Sequence, residues 1–215
     1  QIDGTSYSSG TTLYFNENTY VSWFDDSDIT DSSDTGVAIT TEGNKIVDTF
    51  AKYSDLNGLT LSTDEGTDTI YHLTLNDRAG NISTYTIIID KSPVEAVWVS
   101  DSKEIDNGGY SNEAVYLSYD ANEVASALYS KDGSEYVTYS KENQFFEDGV
   151  YAVVLTDKAG NKSTYIINID TVAPTGQLYA DYQAVSNNCV TNGKIYFTWD
   201  GESTATVNGN PYTKN

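Results

Sequence analysis

The sequence predicts an all-β protein made of tandem β-sandwich modules, and three observations support this. A segment of 20 residues occurs twice, at 71–90 and 151–170, with 12 identical positions and a spacing of 80 residues. That spacing corresponds to a whole small domain rather than to a solenoid repeat. Within both copies apolar and polar residues alternate, which is typical of strands. No stretch sustains the spacing of an amphipathic helix, so we expect essentially no helix.

The duplicated segment itself predicts two strands joined by a tight turn. In the second copy Tyr151, Val153 and Leu155 share one face, and the pattern repeats after the turn DKAGN at 157–161. An Asp that opens a turn accepts hydrogen bonds from the backbone N–H groups ahead of it, and a Gly near the end supplies a left-handed residue. We therefore interpret this motif as a structural hairpin turn and not as an active-site loop.

A second shared element sets the module boundaries. A predicted strand followed by an acid occurs at 16–25, 111–120 and 191–200. The last two are 80 residues apart, but the first lies 95 before the second, so the first module carries about 15 extra residues. We place them in or after the acidic run at 25–36. The predicted modules are listed in chain order: 1–92 with the acidic insertion, 93–173, and 174–215 as the first part of a third module.

The second module shows the complete predicted succession of strands. They are listed in chain order: 94–100, 114–119, 124–130, 135–139, 151–156 and 163–169. Asp132-Gly133 is a dipeptide that two-residue hairpins favour, and Asn208-Gly209 plays the same part in the third module. The third module has no copy of the duplicated segment, so we expect some of its core-facing side chains to be exposed.

The duplicated segment also carries a family resemblance. Its pattern is Asp-x-Ala-Gly-Asn-x-Ser-Thr, then apolar alternation to Ile-Asp, then a Pro after a short linker, as in IDKSP at 89–93 and IDTVAP at 169–174. This resembles the bacterial immunoglobulin-like (Big-type) tandem repeats of surface or secreted proteins. The resemblance implies immunoglobulin-like sandwiches, in which Tyr151 ties its hydroxyl back to nearby backbone.

The resemblance also implies a function and a location. Such repeats are extracellular, on the cell surface or secreted, and serve as a non-enzymatic stalk, spacer or adhesive region. The alternative is an accessory or carbohydrate-binding region of a secreted carbohydrate-active enzyme. The expected partners are a host or cell-wall glycan or protein, and we expect a monomer.

Charge and hydropathy exclude two other classes of partner. The chain carries 32 Asp and Glu against 11 Lys and Arg, for a formal net charge of -21. Such a surface repels phosphate backbones, so we expect no nucleic-acid binding. No apolar run of about 18 residues is present, so we expect no membrane insertion in this fragment.

The sequence shows no catalytic constellation. Its single histidine, His72, lies on the face of its predicted strand opposite Tyr71 and Leu73, which disfavours a nucleophilic triad. The chain also lacks zinc-protease, Cys-x-x-Cys, phosphate-loop and dinucleotide motifs. We therefore expect no enzymatic activity and no organic cofactor.

The acidic run of the first module is the candidate metal site. Asp25, Asp26, Asp28 and Asp31 lie close together in it, and carboxylates in a loop are the oxygen ligands that calcium takes. The spacing is not that of an EF-hand. The alternative is a solvated acidic loop.

Trp23, immediately before this run, is the candidate ligand-binding residue. A tryptophan can present a flat face to a sugar ring, and the chain has three. We assign Trp98 to the first strand of the second module and Trp199 to a core position. A shift of one residue in the strand would exchange Trp23 with Phe24 as the inward side chain, so core packing remains the alternative.

Calcium should raise the midpoint of thermal unfolding if the acidic run binds it, because a ligand specific to the native state stabilises that state. The variant with Asp25, Asp26, Asp28 and Asp31 all changed to Asn should lose this response. Magnesium at the same concentration controls for ionic strength. A midpoint indifferent to calcium would exclude the site.

Overall fold

The computed structural model describes residues 1–22, 35–41, 44–49, 58–77, 80–101, 103–186, 188–199, 205–207 and 210–212. Within these residues the regular structure consists of 20 strands and no helix, which confirms the predicted all-β class. It follows that no helix among them has the length and apolar character needed to cross a membrane. The chain divides into two compact units, Gln1–Ile169 and Asp170–Asn215.

The first part of the larger unit contains seven strands. In chain order they are β1 (Thr12–Phe15), β2 (Thr19–Ser22), β3 (Thr35–Thr41), β4 (Asn44–Thr49), β5 (Gly58–Leu61), β6 (Asp68–Asp77) and β7 (Ile82–Asp90). One sheet has the order β1-β7-β6-β3-β4, and β2 pairs with β5 in a second sheet. β1 runs parallel to β7, whereas the other pairs are antiparallel. Residues from both sheets form one core: Ile2, Val21, Ile39, Leu61, Tyr71, Leu73, Ile87 and Ile89.

The second part of the larger unit contains eight strands. In chain order they are β8 (Ala96–Ser100), β9 (Lys103–Ile105), β10 (Tyr110–Ser111), β11 (Tyr116–Tyr119), β12 (Val124–Lys131), β13 (Val137–Thr138), β14 (Gly149–Asp157) and β15 (Lys162–Ile169). The sheets have the orders β10-β15-β14-β12-β13 and β11-β8-β9. β10 runs parallel to β15, as β1 does to β7. The two parts therefore share a β-sandwich plan with a separate core in each.

The core of this second sandwich follows the predicted alternation. Tyr151, Val153 and Leu155 are buried, and so are Ile167 and Ile169 on the neighbouring strand. Fully burying a large apolar side chain stabilises a fold by roughly 1.5–3 kcal/mol. The buried members of this core are Val94, Trp98, Val115, Leu117, Ala127, Tyr139, Phe145, Tyr151, Val153, Leu155, Ile167 and Ile169. Trp98 is thus a core residue.

Two tyrosine hydroxyls tie backbone segments of this sandwich together. Tyr151 donates a hydrogen bond to the Glu147 carbonyl at 3.1 Å, which confirms the predicted return to nearby backbone. Tyr139 accepts one from the Leu117 N–H at 2.9 Å, and burial raises the pKa of Tyr139 to about 12. The predicted strand at 135–139 is reduced to Val137–Thr138, so Tyr139 contributes through its side chain.

The Asp132-Gly133 turn has the predicted geometry. Its φ angles are 51° and 73°, both positive, as a two-residue hairpin turn of the mirror-image type requires. The Ser134 N–H closes the turn by donating to the Lys131 carbonyl at 2.9 Å. The corresponding pair Asn208-Gly209 lies outside the described residues.

The smaller unit repeats part of the second sandwich. Its strands are β16 (Gly176–Ala180), β17 (Gln183–Val185), β18 (Ile195–Trp199), β19 (Ala205–Val207) and β20 (Asn210–Tyr212). Leu178 faces Phe197 just as Trp98 faces Leu117, with every number shifted by 80. Leu117 is fully buried, whereas Phe197 is 36% exposed and its neighbour Ile195 is 54% exposed. The expected exposure of core-facing side chains in this part is confirmed.

Changing Tyr139 to Phe should lower the free energy of unfolding by about 1–2 kcal/mol, because the Leu117 N–H would lose its partner inside the sandwich. Urea unfolding followed by tryptophan fluorescence measures this difference. Tyr136→Phe, on an exposed ring, is the matched control and should leave the free energy unchanged. Equal values for the two variants would show that the hydroxyl of Tyr139 contributes nothing.

Candidate functional site: the junction of the two sandwiches

The two sandwiches of the larger unit are joined by a short segment, residues 90–96, which we call the junction linker. On the first sandwich, the backbone of Lys91 is held at both of its polar groups. Its N–H donates to the Thr67 carbonyl at 2.9 Å, and its carbonyl accepts from the Gly66 N–H at 3.3 Å. The turn between β5 and β6 therefore fixes the start of the linker.

The DKAGN turn of the second sandwich is organised by a buried carboxylate. Asp157 is only 4% exposed, and its Oδ1 accepts hydrogen bonds from the N–H groups of Gly160 at 2.7 Å and Asn161 at 2.9 Å. Gly160 has a φ of 99°, in the region that favours glycine. The predicted turn mechanism is confirmed.

Asn161 connects this turn to the junction linker. Its Nδ2 donates to Asp157 Oδ2 at 2.8 Å and to the backbone carbonyl of Asp90, also at 2.8 Å. The carboxylate therefore orients the amide, and the amide holds the last residue of β7. One side chain spans the end of the first sandwich and the turn of the second.

Two side chains of β15 also bind the linker. Ser163 Oγ donates to the Val94 carbonyl at 2.9 Å, and Tyr165 OH donates to the same carbonyl at 2.8 Å. The Tyr165 hydroxyl also accepts from the Ala96 N–H at 2.9 Å. Asn161, Ser163 and Tyr165 are two residues apart, and side chains at that spacing project from the same face of an extended segment. We call these three residues the linker clamp.

Charged side chains add contacts on both sides of the linker. Nζ of the linker residue Lys91 lies 3.1 Å from Oε1 of Glu65 on the first sandwich. Lys158, from the turn of the second sandwich, lies with its Nζ 5.8 Å from the centre of the Tyr14 ring on β1. A cation over an aromatic ring at such a distance is attracted to it by about 0.5–1 kcal/mol when exposed.

An open cleft of about 650 Å³ borders the linker. Its lining includes five acids from both sandwiches: Asp68, Asp90, Glu95, Glu123 and Asp157. Burial raises the pKa of Asp90 above its ordinary value, and the nearby charges of Asp157 and Asp68 raise it further. The Ser92 N–H, which donates to Asp90 Oδ1 at 2.9 Å, acts in the opposite direction.

The acids of the cleft do not form a metal site. Among the described residues, no three His, Cys, Asp or Glu side chains are arranged to hold a metal ion. The predicted calcium ligands Asp25, Asp26, Asp28 and Asp31 lie outside the described residues, and so does Trp23. The calcium site and the ligand-binding role of Trp23 therefore stay predictions.

Sequence reasoning found the turn but missed the clamp. The sequence pattern places Asn161 in the turn and Ser163 and Tyr165 on the strand after it, although a turn needs only the Asp and the Gly. The signal was available in the sequence, because Asn, Ser and Tyr recur at the same places in the first copy. There the Tyr85 hydroxyl also donates to a backbone carbonyl, that of Tyr7 at 3.3 Å, although Tyr7 belongs to the same sandwich and not to a linker.

The comparisons with known proteins include a distant structural likeness. No protein-family model matches the chain, and no curated protein matches it. The chain is similar to a solved structure described as the Bacteroides ovatus mixed-linkage glucan utilization locus SGBP-B in complex with mixed-linkage heptasaccharide. The two are 14% identical with a TM-score of 0.25, over 92% of this chain and 58% of that one. So low a likeness leaves function to be argued from the chain's own contacts.

Changing Asp90 to Asn should stabilise the protein at neutral pH. The native pKa of Asp90 is raised above its ordinary value of 3.8, so ionisation costs free energy in the folded state. The gain from Asn should be complete above the raised pKa, should shrink between that pKa and 3.8, and should be lost below 3.8, where both states bind the proton. The Asn side-chain oxygen still accepts from Ser92.

Unfolding free energies measured in urea across this pH range test the expectation. Asp170→Asn is the matched control, because Asp170 Oδ1 accepts from the Val172 N–H in the same way but the side chain is exposed. The control should show no comparable gain. A gain for Asp90→Asn that is independent of pH would contradict the electrostatic explanation.

Proposed function

We propose that this chain is a non-enzymatic, extracellular spacer made of immunoglobulin-like repeats, belonging to a bacterial cell-surface or secreted protein. The observation that carries the proposal is the linker clamp. The backbone between the two sandwiches is hydrogen-bonded from both sides, by Lys91 with the turn before β6 and by the three clamp residues.

A clamped linker differs physically from a flexible one. Domains joined by a short linker move relative to one another by default unless their interface is large and apolar. Here four residues of the linker have backbone groups fixed by one sandwich or the other: Asp90, Lys91, Val94 and Ala96. Each hydrogen bond contributes about 0.5–1.5 kcal/mol, and together they oppose bending at this point. Stiffness is the property that a spacer requires.

The remaining sequence features support the same role. The resemblance to bacterial immunoglobulin-like repeats implies an extracellular location and a stalk or adhesive function. The net charge of -21 favours the solubility of an exposed protein region. The alternative, an accessory region of a secreted carbohydrate-active enzyme, uses the same stiffness to hold a catalytic domain at a distance.

Distances between spin labels test the stiffness. Labels at Glu17→Cys and Glu135→Cys, on exposed positions of the two sandwiches, with Cys189→Ser removing the native thiol, report the spread of their separation. We expect a narrow distribution in the wild-type background. Adding Ser163→Ala and Tyr165→Phe should broaden it, because these changes remove three hydrogen bonds to the linker and leave the turn intact.

The matched control removes the same two kinds of hydroxyl group from within the second sandwich. Ser130→Ala and Tyr151→Phe delete the hydrogen bonds to the Ser134 and Glu147 carbonyls, neither of which belongs to the linker. This control should lower stability without broadening the distribution. A broad distribution in the wild type, or equal widths in the test and control variants, would exclude the spacer proposal.

A further inference from the structure

Three tyrosines of the smaller unit form a cluster on its three-stranded sheet, and we call Tyr179, Tyr182 and Tyr196 the tyrosine cluster. Tyr179 on β16 and Tyr196 on β18 are directly opposite each other in the antiparallel pair. Their ring centres are 5.2 Å apart, and the rings are parallel within 3°. Tyr182, from the turn between β16 and β17, lies 5.5 Å from Tyr196 at an angle of 57°.

The cluster is absent from the equivalent sheet of the second sandwich. A shift of 80 residues places Val99 at the position of Tyr179 and Ser102 at that of Tyr182, and only Tyr116 corresponds to Tyr196. Since the second sandwich pairs β8 with β9 and β11 in the same register without these rings, the sheet does not need them to form. The shared strand pairing therefore does not explain the two added tyrosines.

Tyr182 is the second residue of the two-residue hairpin turn between β16 and β17, a position that requires a positive φ and that favours glycine. Its φ is 66°, which is costly for a bulky side chain, and its ring is 83% exposed. The turn around it is fixed by Asp181, whose Oδ1 accepts from the Lys194 N–H at 3.0 Å and whose N–H donates to the Lys194 carbonyl at 3.0 Å. A fixed turn thus presents an exposed aromatic ring beside two others, at a cost to stability. The same turn occurs in the second sandwich, where Asp101 has a φ of 43°, so the unusual feature is the bulky side chain at this position and not the turn.

The chemistry of the cluster selects among ligands. Tyrosine offers a rigid apolar ring with a hydroxyl at its tip, at a low cost in conformational entropy. The pKa of Tyr196 is raised by burial and by the neighbouring Tyr182 and Tyr179, which is consistent with hydroxyl groups that lie close together. A sugar ring matches this combination, because one face carries C–H groups and its rim carries hydroxyls.

Charge and shape further limit the kinds of ligand that the tyrosine cluster can bind. The net charge of -21 and the adjacent Asp181 disfavour nucleic acids and acidic polysaccharides. A quaternary ammonium group would need an enclosing cage of rings, whereas Tyr182 is open to solvent. Pyranose rings with equatorial hydroxyls, such as those of glucose, present the most complete C–H face.

We propose that the tyrosine cluster binds a neutral, glucose-based glycan chain by stacking of Tyr182 and Tyr196 against its sugar rings. This activity goes beyond the spacer role and does not depend on it. The chain would then carry a glycan-binding surface on its smaller unit. Because the site is open and involves three rings, we expect weak binding, with a dissociation constant in about the millimolar range.

Calorimetric titration of the full chain with cellohexaose tests the proposal. Tyr182→Gly removes the ring and relieves the positive φ, so its thermal midpoint should equal or exceed that of the wild type. Its affinity should fall by about tenfold, a change comparable with the loss of one stacked aromatic from a nucleic-acid site. Tyr182→Ser, which installs the residue of the second sandwich, is the second variant and should weaken binding equally.

Tyr110→Ala is the matched control, since that ring is 77% exposed on β10 and distant in sequence from the cluster. It should bind cellohexaose as the wild type does, and polygalacturonate should bind to none of the proteins. The proposal is overturned if the wild type does not bind cellohexaose at millimolar concentration. It is equally overturned if both Tyr182 variants retain full affinity, if Tyr110→Ala loses as much, or if polygalacturonate binds as tightly.

Discussion

The hydrogen bond from the Asn161 amide to the Asp90 carbonyl is the contact on which the junction depends. It requires the buried carboxylate of Asp157 to orient the amide, and it requires the positive φ of Gly160 to bring the chain back towards that carboxylate. A substitution of Asp157, Gly160 or Asn161 would therefore break the hydrogen bond between the amide and the linker. The turn motif therefore connects the two sandwiches as well as two strands.

The same contact explains why the motif is richer than a hairpin needs. A bulged turn is satisfied by an Asp and a Gly, yet Asn161, Ser163 and Tyr165 follow in strict alternation. Alternation places all three on one side of the hairpin, where the linker passes. One short stretch of sequence thereby encodes both the closing hairpin of a sandwich and the attachment of the segment that precedes that sandwich.

Most of the fold followed from the sequence, because the signals for it are local. Alternating apolar residues predicted β14 and β15, and Asp132-Gly133 predicted its turn. β9 and β10 were missed, since Lys103–Ile105 is largely polar and Tyr110–Ser111 is only two residues long. Such short strands form because neighbouring strands offer hydrogen-bonding edges, which a sequence pattern does not show. The clamp was missed for a related reason: Asn161 and Asp90 are 71 residues apart in the chain.

The clamp has a chemical vulnerability that follows from its composition. Asn161, Lys162 and Ser163 match the Asn-X-Ser acceptor sequence for N-linked glycans. Both hydrogens of the Asn161 amide are already donated, one to Asp157 and one to Asp90, and a glycan would replace one of them. If the chain is secreted from a eukaryotic host, a glycan attached to Asn161 would therefore remove one of these two hydrogen bonds. This loss does not occur when the chain is produced in a bacterium that lacks the modification.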